Sequence, residues 1–135
     1  MKVHTSKVRV RYGETDQMGV VYHANYAKYF EIGRTEWLRH LGITYASMEE
    51  NGVMLPVISL KIDYKKSAKY DDVLSIKTKL LEVPNVRIKF YYEILNDREE
   101  ILVSGQTDLV FIDMKRNRPT KCPSYLLDKL QKISL

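Results

Sequence analysis

The spacing of apolar side chains changes once along this chain, and that change constrains the fold. Helical spacing, in steps of four, three, four and four, relates five residues within 24–41: Tyr26, Phe30, Gly33, Trp37 and Leu41. From residue 53 onward the apolar period is two, which is typical of β-strands. The chain is therefore predicted to form a strand over residues 3–12, one long aromatic helix, and then four strands.

Turn-forming residues connect the last strands and close the helices. Pro84-Asn85 and Asn96-Asp97 are short connections that predict sequential hairpins and an antiparallel sheet. Gly42 follows the long helix, and Pro123 begins a closing helix. We expect one α+β domain over residues 1–135, in which a five-stranded antiparallel sheet wraps around one long helix. The last strand is apolar on both faces, so a homodimer is expected to cover its outer surface or edge.

Composition agrees with a single globular domain. The 135 residues are 44% hydrophobic and 29% charged, which excludes a disordered chain or a disulfide scaffold. The single cysteine and the three histidines lack metal-ligand spacing, so neither a metal nor another cofactor is expected. No segment has the length of a membrane span, and no apolar stretch follows the charged N-terminal residues. These features predict a cytoplasmic protein.

The net charge of +5 is concentrated in the second part of the chain, where residues 61–135 hold fifteen Lys and Arg against eleven Asp and Glu. A basic surplus fits nucleic acid, an anionic membrane surface or a small molecule that carries phosphates. Two basic clusters stand out, namely Lys65, Lys66 and Lys69, and then Lys115, Arg116, Arg118 and Lys121. Neither cluster carries a nucleic-acid recognition motif, which disfavours that partner and leaves a membrane contact open.

Candidate catalytic residues concentrate just before the long helix. Asp16 lies in a loop between two glycines that leads into the helix N-terminus, where backbone N–H groups are unpaired. A carboxylate beside such donors can support hydrolysis of an activated carbonyl, with Asp16 as nucleophile or general base. His23 or its backbone N–H would polarise the carbonyl, and the Tyr12 hydroxyl would orient a group or a water. The residues alone leave open that Asp16 is a helix cap or turn former.

Segment 10–26 contains nine residues whose types and spacing form a motif: Tyr12, Thr15, Asp16, Gly19, Val20, Val21, Tyr22, His23 and Tyr26. This segment resembles the active-site segment of the hotdog-fold acyl-CoA thioesterases. It is most similar to the 4-hydroxybenzoyl-CoA thioesterase-like group, in particular the branch associated with the bacterial Tol–Pal system. One departure is Lys65-Lys66-Ser67-Ala68-Lys69, which stands where this group often has Arg-Pro-Ala.

The resemblance implies roles for the loop residues and for the assembly. Asp16 matches the catalytic carboxylate of the family, and His23 matches the position that offers a backbone N–H to the thioester oxygen. Tyr12 matches a residue near the carboxylate. The family fold implies a homodimer or homotetramer.

The acyl-CoA substrate suggests a role for the first basic cluster, because coenzyme A carries phosphates at the mouth of such a site. Lys65, Lys66 and Lys69 are the expected phosphate ligands.

Two alternatives remain open, and a third is disfavoured. Glu31 is a second candidate carboxylate, since a different branch of hotdog thioesterases uses a helix glutamate. A non-catalytic module would bind acyl-CoA or an acyl carrier protein, or dock on an envelope complex, without turnover. A hotdog dehydratase is disfavoured, because that chemistry uses a differently placed histidine with an acid on the helix.

Overall fold

A computed structural model describes residues 2–133 of the chain. The elements in order are β1 (His4–Arg9), α1 (Asn25–His40), α2 (Tyr45–Glu50), β2 (Val53–Met54), β3 (Val57–Tyr64), β4 (Val73–Leu80), β5 (Arg87–Leu95), β6 (Ile101–Val110), β7 (Ile112–Asp113), β8 (Arg118–Pro119) and α3 (Ser124–Lys132). Five antiparallel strands form the main sheet in the order β1-β4-β5-β6-β3, and β2, β7 and β8 form a small second sheet. The predicted α+β fold, with a long helix against an antiparallel sheet, is confirmed.

The core forms between α1 and the inner face of the main sheet. Phe30 stacks on Tyr92 of β5 with ring centroids 4.3 Å apart, and Trp37 meets Phe90 edge-on at 5.3 Å. Gly33 lies at the closest approach, where a Cβ would stand 2.5 Å from Thr78 Oγ1. The aromatic stripe therefore faces the sheet as predicted, and Gly33 lets the helix approach side chains of β4 closely.

Strand β1 is shorter than the sequence predicts. The expected strand over residues 3–12 ends at Arg9, because residues Tyr12–Glu14 form a 3-10 turn. Val10 is still buried in the core, whereas Tyr12 is 77% exposed. The predicted extension of this strand to residue 12 is therefore wrong.

Strand β3 is exposed on both faces. Its alternation of Ile58, Leu60, Ile62 and Tyr64 predicts a half-buried strand, yet only Ile62 is partly buried. The reason is its place at the sheet edge, beyond β6, while α1 packs chiefly on β1, β4 and β5. The unpartnered apolar surface therefore lies on β3, and β6 is an interior strand.

Helix α3 closes one end of the core. It follows Pro123, and it buries Leu126 and Leu130 in the same apolar cluster as α1 and the sheet. Cys122, just before it, is 5% exposed, and burial raises the pKa of its thiol to about 12. A buried thiol with a raised pKa presents little thiolate, so Cys122 is a poor nucleophile in this environment.

Candidate active site

A cavity of about 250 Å³ opens beside the N-terminus of α1. Asp16 and His23 reach it from the loop before the helix, and Lys65 and Lys66 reach it from the segment after β3. The remaining lining residues are Met18, Val20, Val21, Tyr26, Tyr64 and Ser67. The fold thus brings together four of the six residues for which the sequence suggests a catalytic or binding role.

The loop around Asp16 is tightly hydrogen-bonded. The Asp16 N–H donates to the Val20 carbonyl at 2.9 Å, and the Gly19 N–H donates to the Asp16 carbonyl at 3.0 Å. Gly19 has a φ of +77°, which favours glycine at this turn. Asp16 Oδ1 accepts from the Met18 N–H at 2.9 Å, and Oδ2 has no partner in the described chain. The half-buried carboxylate is therefore held by one oxygen and available through the other.

The start of α1 offers backbone donors to the same region. Within residues 2–133, the N–H groups of His23 and Ala24 donate to no backbone or side-chain acceptor. The Tyr64 hydroxyl donates to the His23 carbonyl at 3.1 Å, which ties the end of β3 to the start of the helix. Unpaired N–H groups at a helix N-terminus can stabilise a developing oxyanion. The cavity therefore combines a carboxylate with a candidate oxyanion donor at His23, which lines it, and Ala24 offers a second unpaired N–H group next to His23 in the chain.

Two of the six candidate residues lie outside the cavity wall. Tyr12 packs its ring edge-on against Tyr70 with centroids 5.7 Å apart. Its carbonyl, rather than its hydroxyl, supports the loop, because it accepts from the Thr15 hydroxyl at 2.7 Å. Lys69 pairs its backbone with Val20, and its side chain is exposed.

The two lysines in the cavity wall differ in their partners. Lys66 forms an ion pair with Glu100. Lys65 forms no ion pair with any described residue. The positive charge of Lys65 is therefore the less compensated of the two, although both side chains are exposed.

Sequence reasoning missed Glu14, which lies two residues before Asp16 and is 7% exposed. Its carboxylate accepts hydrogen bonds from Arg11 and Tyr29. Burial alone would raise its pKa, but these hydrogen bonds and the Arg11 charge outweigh burial and hold the pKa of Glu14 below its usual range. In sequence, an acid in a polar loop gives no sign of such burial.

Tyrosines of the cavity were missed for a different reason. Helical spacing assigns Tyr26 to the core, and it is indeed buried. Its phenol oxygen also accepts from the Ala68 N–H at 3.2 Å and lines the cavity. Strand alternation likewise gave Tyr64 no role beyond packing.

The alternative carboxylate Glu31 and the buried Arg34 of α1 lie outside the cavity. Glu31 is exposed on α1 and lines a separate groove with Lys28 and Thr35. Arg34 is buried, and its Nε donates to the Tyr45 hydroxyl at 3.1 Å, so its partner is a phenol. Among residues 2–133 no three histidine, cysteine or acidic side chains cluster as a metal site would require. Nor does any helix in that range combine the length and apolar character of a bilayer span.

A long helix wrapped by an antiparallel sheet, with a carboxylate loop at the helix N-terminus, defines a hotdog-fold protein of the thioesterase type. The chain belongs to the thioesterase-like superfamily, which it matches over residues 10–130. It is 38% identical over 118 residues to the acyl-CoA thioesterase YbgC of Haemophilus influenzae, covering 86% of this chain and 85% of that protein. With the acyl-CoA thioester hydrolase YbgC of Escherichia coli O6:H1 the identity is 31% over 120 residues, covering 89% and 90%.

A solved structure supports the same relationship. The crystal structure of the DHNA-CoA thioesterase from Staphylococcus aureus superposes with a TM-score of 0.90 at 35% sequence identity. The match covers 98% of this chain and 91% of that one. The similarity therefore extends over the whole architecture, including the loop, α1 and the segment after β3.

Proposed function

We propose that this protein is an acyl-CoA thioesterase, which hydrolyses the thioester bond of acyl-CoA to a carboxylic acid and free coenzyme A. The observation that carries the proposal is the shared cavity of the Asp16 carboxylate and the His23 segment, where backbone N–H groups are unpaired. The activities named for the related proteins support the same reaction class.

A carboxylate suffices for this chemistry because the substrate is activated. A thioester carbonyl has little resonance stabilisation, and a thiol with a pKa of about 8.5 leaves readily as the thiolate. The N–H groups of His23 and Ala24 stabilise the oxyanion that forms on the carbonyl oxygen. No strong acid is needed for the leaving group. Tyr12, which the sequence suggests as a residue that orients a group or a water, lies outside the cavity wall and has no part in this proposal.

Two routes are compatible with the geometry of Asp16. In the first, Asp16 attacks the thioester carbon, the C–S bond breaks, and water then hydrolyses the acyl-aspartyl anhydride. In the second, Asp16 takes a proton from a water molecule, the oxygen of that water attacks the carbon, and the same C–S bond breaks. Both routes release coenzyme A as the thiolate, and both require the free Oδ2.

The test is release of free thiol from a panel of aliphatic and aromatic acyl-CoAs. We expect Asp16→Asn to lower kcat by about a hundredfold or more, since it removes the nucleophile or base. Glu31→Gln is the matched control, because it neutralises an exposed carboxylate outside the cavity, and it should retain wild-type kcat. Full activity in Asp16→Asn would contradict the role of Asp16, and tight acyl-CoA binding with no thiol release would identify a binding module.

The coenzyme A phosphates are proposed to bind at Lys65 and Lys66, with Lys69 adding charge from outside the cavity. Lys65→Ala should raise KM by about tenfold, as expected for a charge-assisted contact, and this increase should shrink at high salt. Lys66→Ala should have the smaller effect, because Glu100 already compensates its charge. Lys115→Ala, a change in the second basic cluster, is the control and should leave KM unchanged. An unchanged KM in Lys65→Ala would mean that these lysines are solvent-exposed residues that do not bind the phosphates.

The assembly is proposed to be a homodimer, or a homotetramer built from such dimers, with β3 at the interface. Strand β3 combines an unpaired sheet edge with four exposed apolar side chains: Val57, Ile58, Leu60 and Tyr64. Such an edge in a stable protein is normally covered. A second copy of β3 supplies the same apolar surface and the missing backbone partners.

A further inference from the structure

We infer that Glu14 is a positioning residue, which holds Asp16 and the unpaired N–H groups of His23 and Ala24 in a fixed relation. This inference rests on the proposed thioesterase function. Glu14 does not line the cavity, so it acts only through the residues that it holds.

The carboxylate of Glu14 joins the end of β1 to the second turn of α1. Its Oε1 accepts from the Arg11 N–H at 2.8 Å and from the Tyr29 hydroxyl at 3.0 Å. Its Oε2 accepts from Arg11 Nη2 at 3.0 Å. Hydrogen bonds to an ionised acceptor are stronger than those between neutral groups, so this buried carboxylate is a firm anchor.

The carbonyl of Glu14 holds the start of α1 from the other side. It accepts from the Tyr22 N–H at 2.9 Å and from the Asn25 side-chain amide at 2.8 Å. Asn25 is itself buried and is the first residue of α1. His23 and Ala24 lie between these two donors, so their N–H groups are fixed by a carbonyl that belongs to the Asp16 loop.

The connection from Glu14 to Asp16 is short and constrained. Only Thr15 separates them, and Thr15 is held by a hydrogen bond to the Tyr12 carbonyl and by a bridge to Val21. A shift of Glu14 therefore moves Asp16 relative to the oxyanion donors. A misplacement of about 1 Å can cost up to about a hundredfold in rate, so even a partial loss of this anchor should be measurable.

The experiment compares Glu14→Gln and Tyr29→Phe with wild-type protein on an acyl-CoA that the wild type hydrolyses. Glu14→Gln keeps the size of the side chain but turns an amide N–H group toward Arg11 or Tyr29. We expect kcat to fall by about tenfold or more, with KM within about twofold. Tyr29→Phe removes one hydrogen bond to the same carboxylate and should lower kcat less. Glu36→Gln is the control, since Glu36 is an α1 acid paired with Arg39 on the surface, and it should keep wild-type kcat.

Two further measurements separate positioning from general destabilisation. In an Asp16→Asn background, Glu14→Gln should cause a smaller loss of kcat than in the wild-type background, because part of its effect passes through Asp16. Amide hydrogen exchange should become faster at Met18, Tyr22 and Asn25 in Glu14→Gln, and this readout does not depend on activity.

The outcomes distinguish this inference from the proposed function. If the wild type releases no thiol from any acyl-CoA, the proposed function fails, and the exchange data still test whether Glu14 holds the loop. If the wild type is active, an unchanged kcat in folded Glu14→Gln overturns the inference, as does a loss confined to KM or a loss fully additive with Asp16→Asn. Should Glu14→Gln fail to fold, the same criteria apply to Tyr29→Phe.

Discussion

At Gly105, β6 lies close to both α1 and β3. A Cβ at this position would lie 2.4 Å from Phe30 Cε2 and 2.5 Å from the Lys61 carbonyl oxygen. Lys61 belongs to the neighbouring strand, so its carbonyl cannot move without disturbing the pairing of β3 with β6. The residue is therefore a steric limit on the packing of the helix against the sheet.

Gly105→Ala should destabilise the protein. Overpacking of this kind typically costs about 1–3 kcal/mol, and the backbone atom at Lys61 places the expected loss toward the upper end. Gly13→Ala is the matched control, because a Cβ there meets nothing within 4 Å and its φ does not require glycine. Urea denaturation would measure both variants, and equal free energies of unfolding would contradict this reading of Gly105.

At the level of single residues, the sequence indicates which loop residues belong to the motif, but not which neighbouring residues are buried or hydrogen-bonded. Asp16 and His23 could be chosen because residue order carries the motif. The same residue order selects Tyr12, but the chain turns after Arg9 and Tyr12 lies outside the cavity wall. The burial of Glu14 depends on Tyr29, a residue on another element, and local patterns carry no information about such a contact.

At the level of structural elements, the loop between β1 and α1 is held by the ionised carboxylate of Glu14, so its stability should depend on pH. The pKa of Glu14 is lowered in the folded protein, since hydrogen bonds from Arg11 and Tyr29 outweigh the opposing effect of burial. A lowered pKa means that ionised Glu14 stabilises the fold above its unfolded pKa of about 4.3. That contribution is lost as the pH falls through the lower, folded value.

The difference in unfolding free energy between wild type and Glu14→Gln should therefore depend on pH. It should be largest at neutral pH and should shrink below about pH 4, because glutamine does not titrate. Parallel urea titrations between neutral and acidic pH would measure it. A difference that stays constant across this range would show that the Glu14 charge does not contribute to the stability of the loop.

Helices and strands of this chain were predictable to different degrees. The predicted helix at residues 24–41 is found as Asn25–His40, and Gly42 adopts the expected left-handed φ of +80°. These features are local, since spacing and capping are set within one segment. The exposure of β3 is not local, because it follows from pairing with β6 and from the distance of α1.

At the scale of the whole molecule, the two edges of the main sheet are unlike. The β1 edge has α1 packed against it, whereas the β3 edge has exposed apolar side chains. Tyr64 also connects the β3 edge to His23 in the cavity. The proposed interface therefore adjoins the candidate active site.

Leu60→Lys should convert the proposed dimer to a monomer, because it places a charge at the centre of the apolar edge. Leu81→Lys is the matched control, since Leu81 is 41% exposed against 47% for Leu60 but lies outside β3. Light scattering coupled to size-exclusion chromatography would measure the mass of each variant. A Leu60→Lys protein with the mass of the wild-type assembly, or a monomeric wild type, would contradict the proposed interface.

The burial of Cys122 has a practical consequence for measuring this enzyme. Ellman's reagent, which detects the thiol released from acyl-CoA, reacts with thiolates, and a buried group with a pKa of about 12 presents almost none at neutral pH. The reaction can therefore be followed continuously with the reagent present, without a background signal from folded protein. In a blank without substrate, a slow rise in absorbance would mean that the reagent reaches Cys122. It would therefore report transient opening of the core near α3.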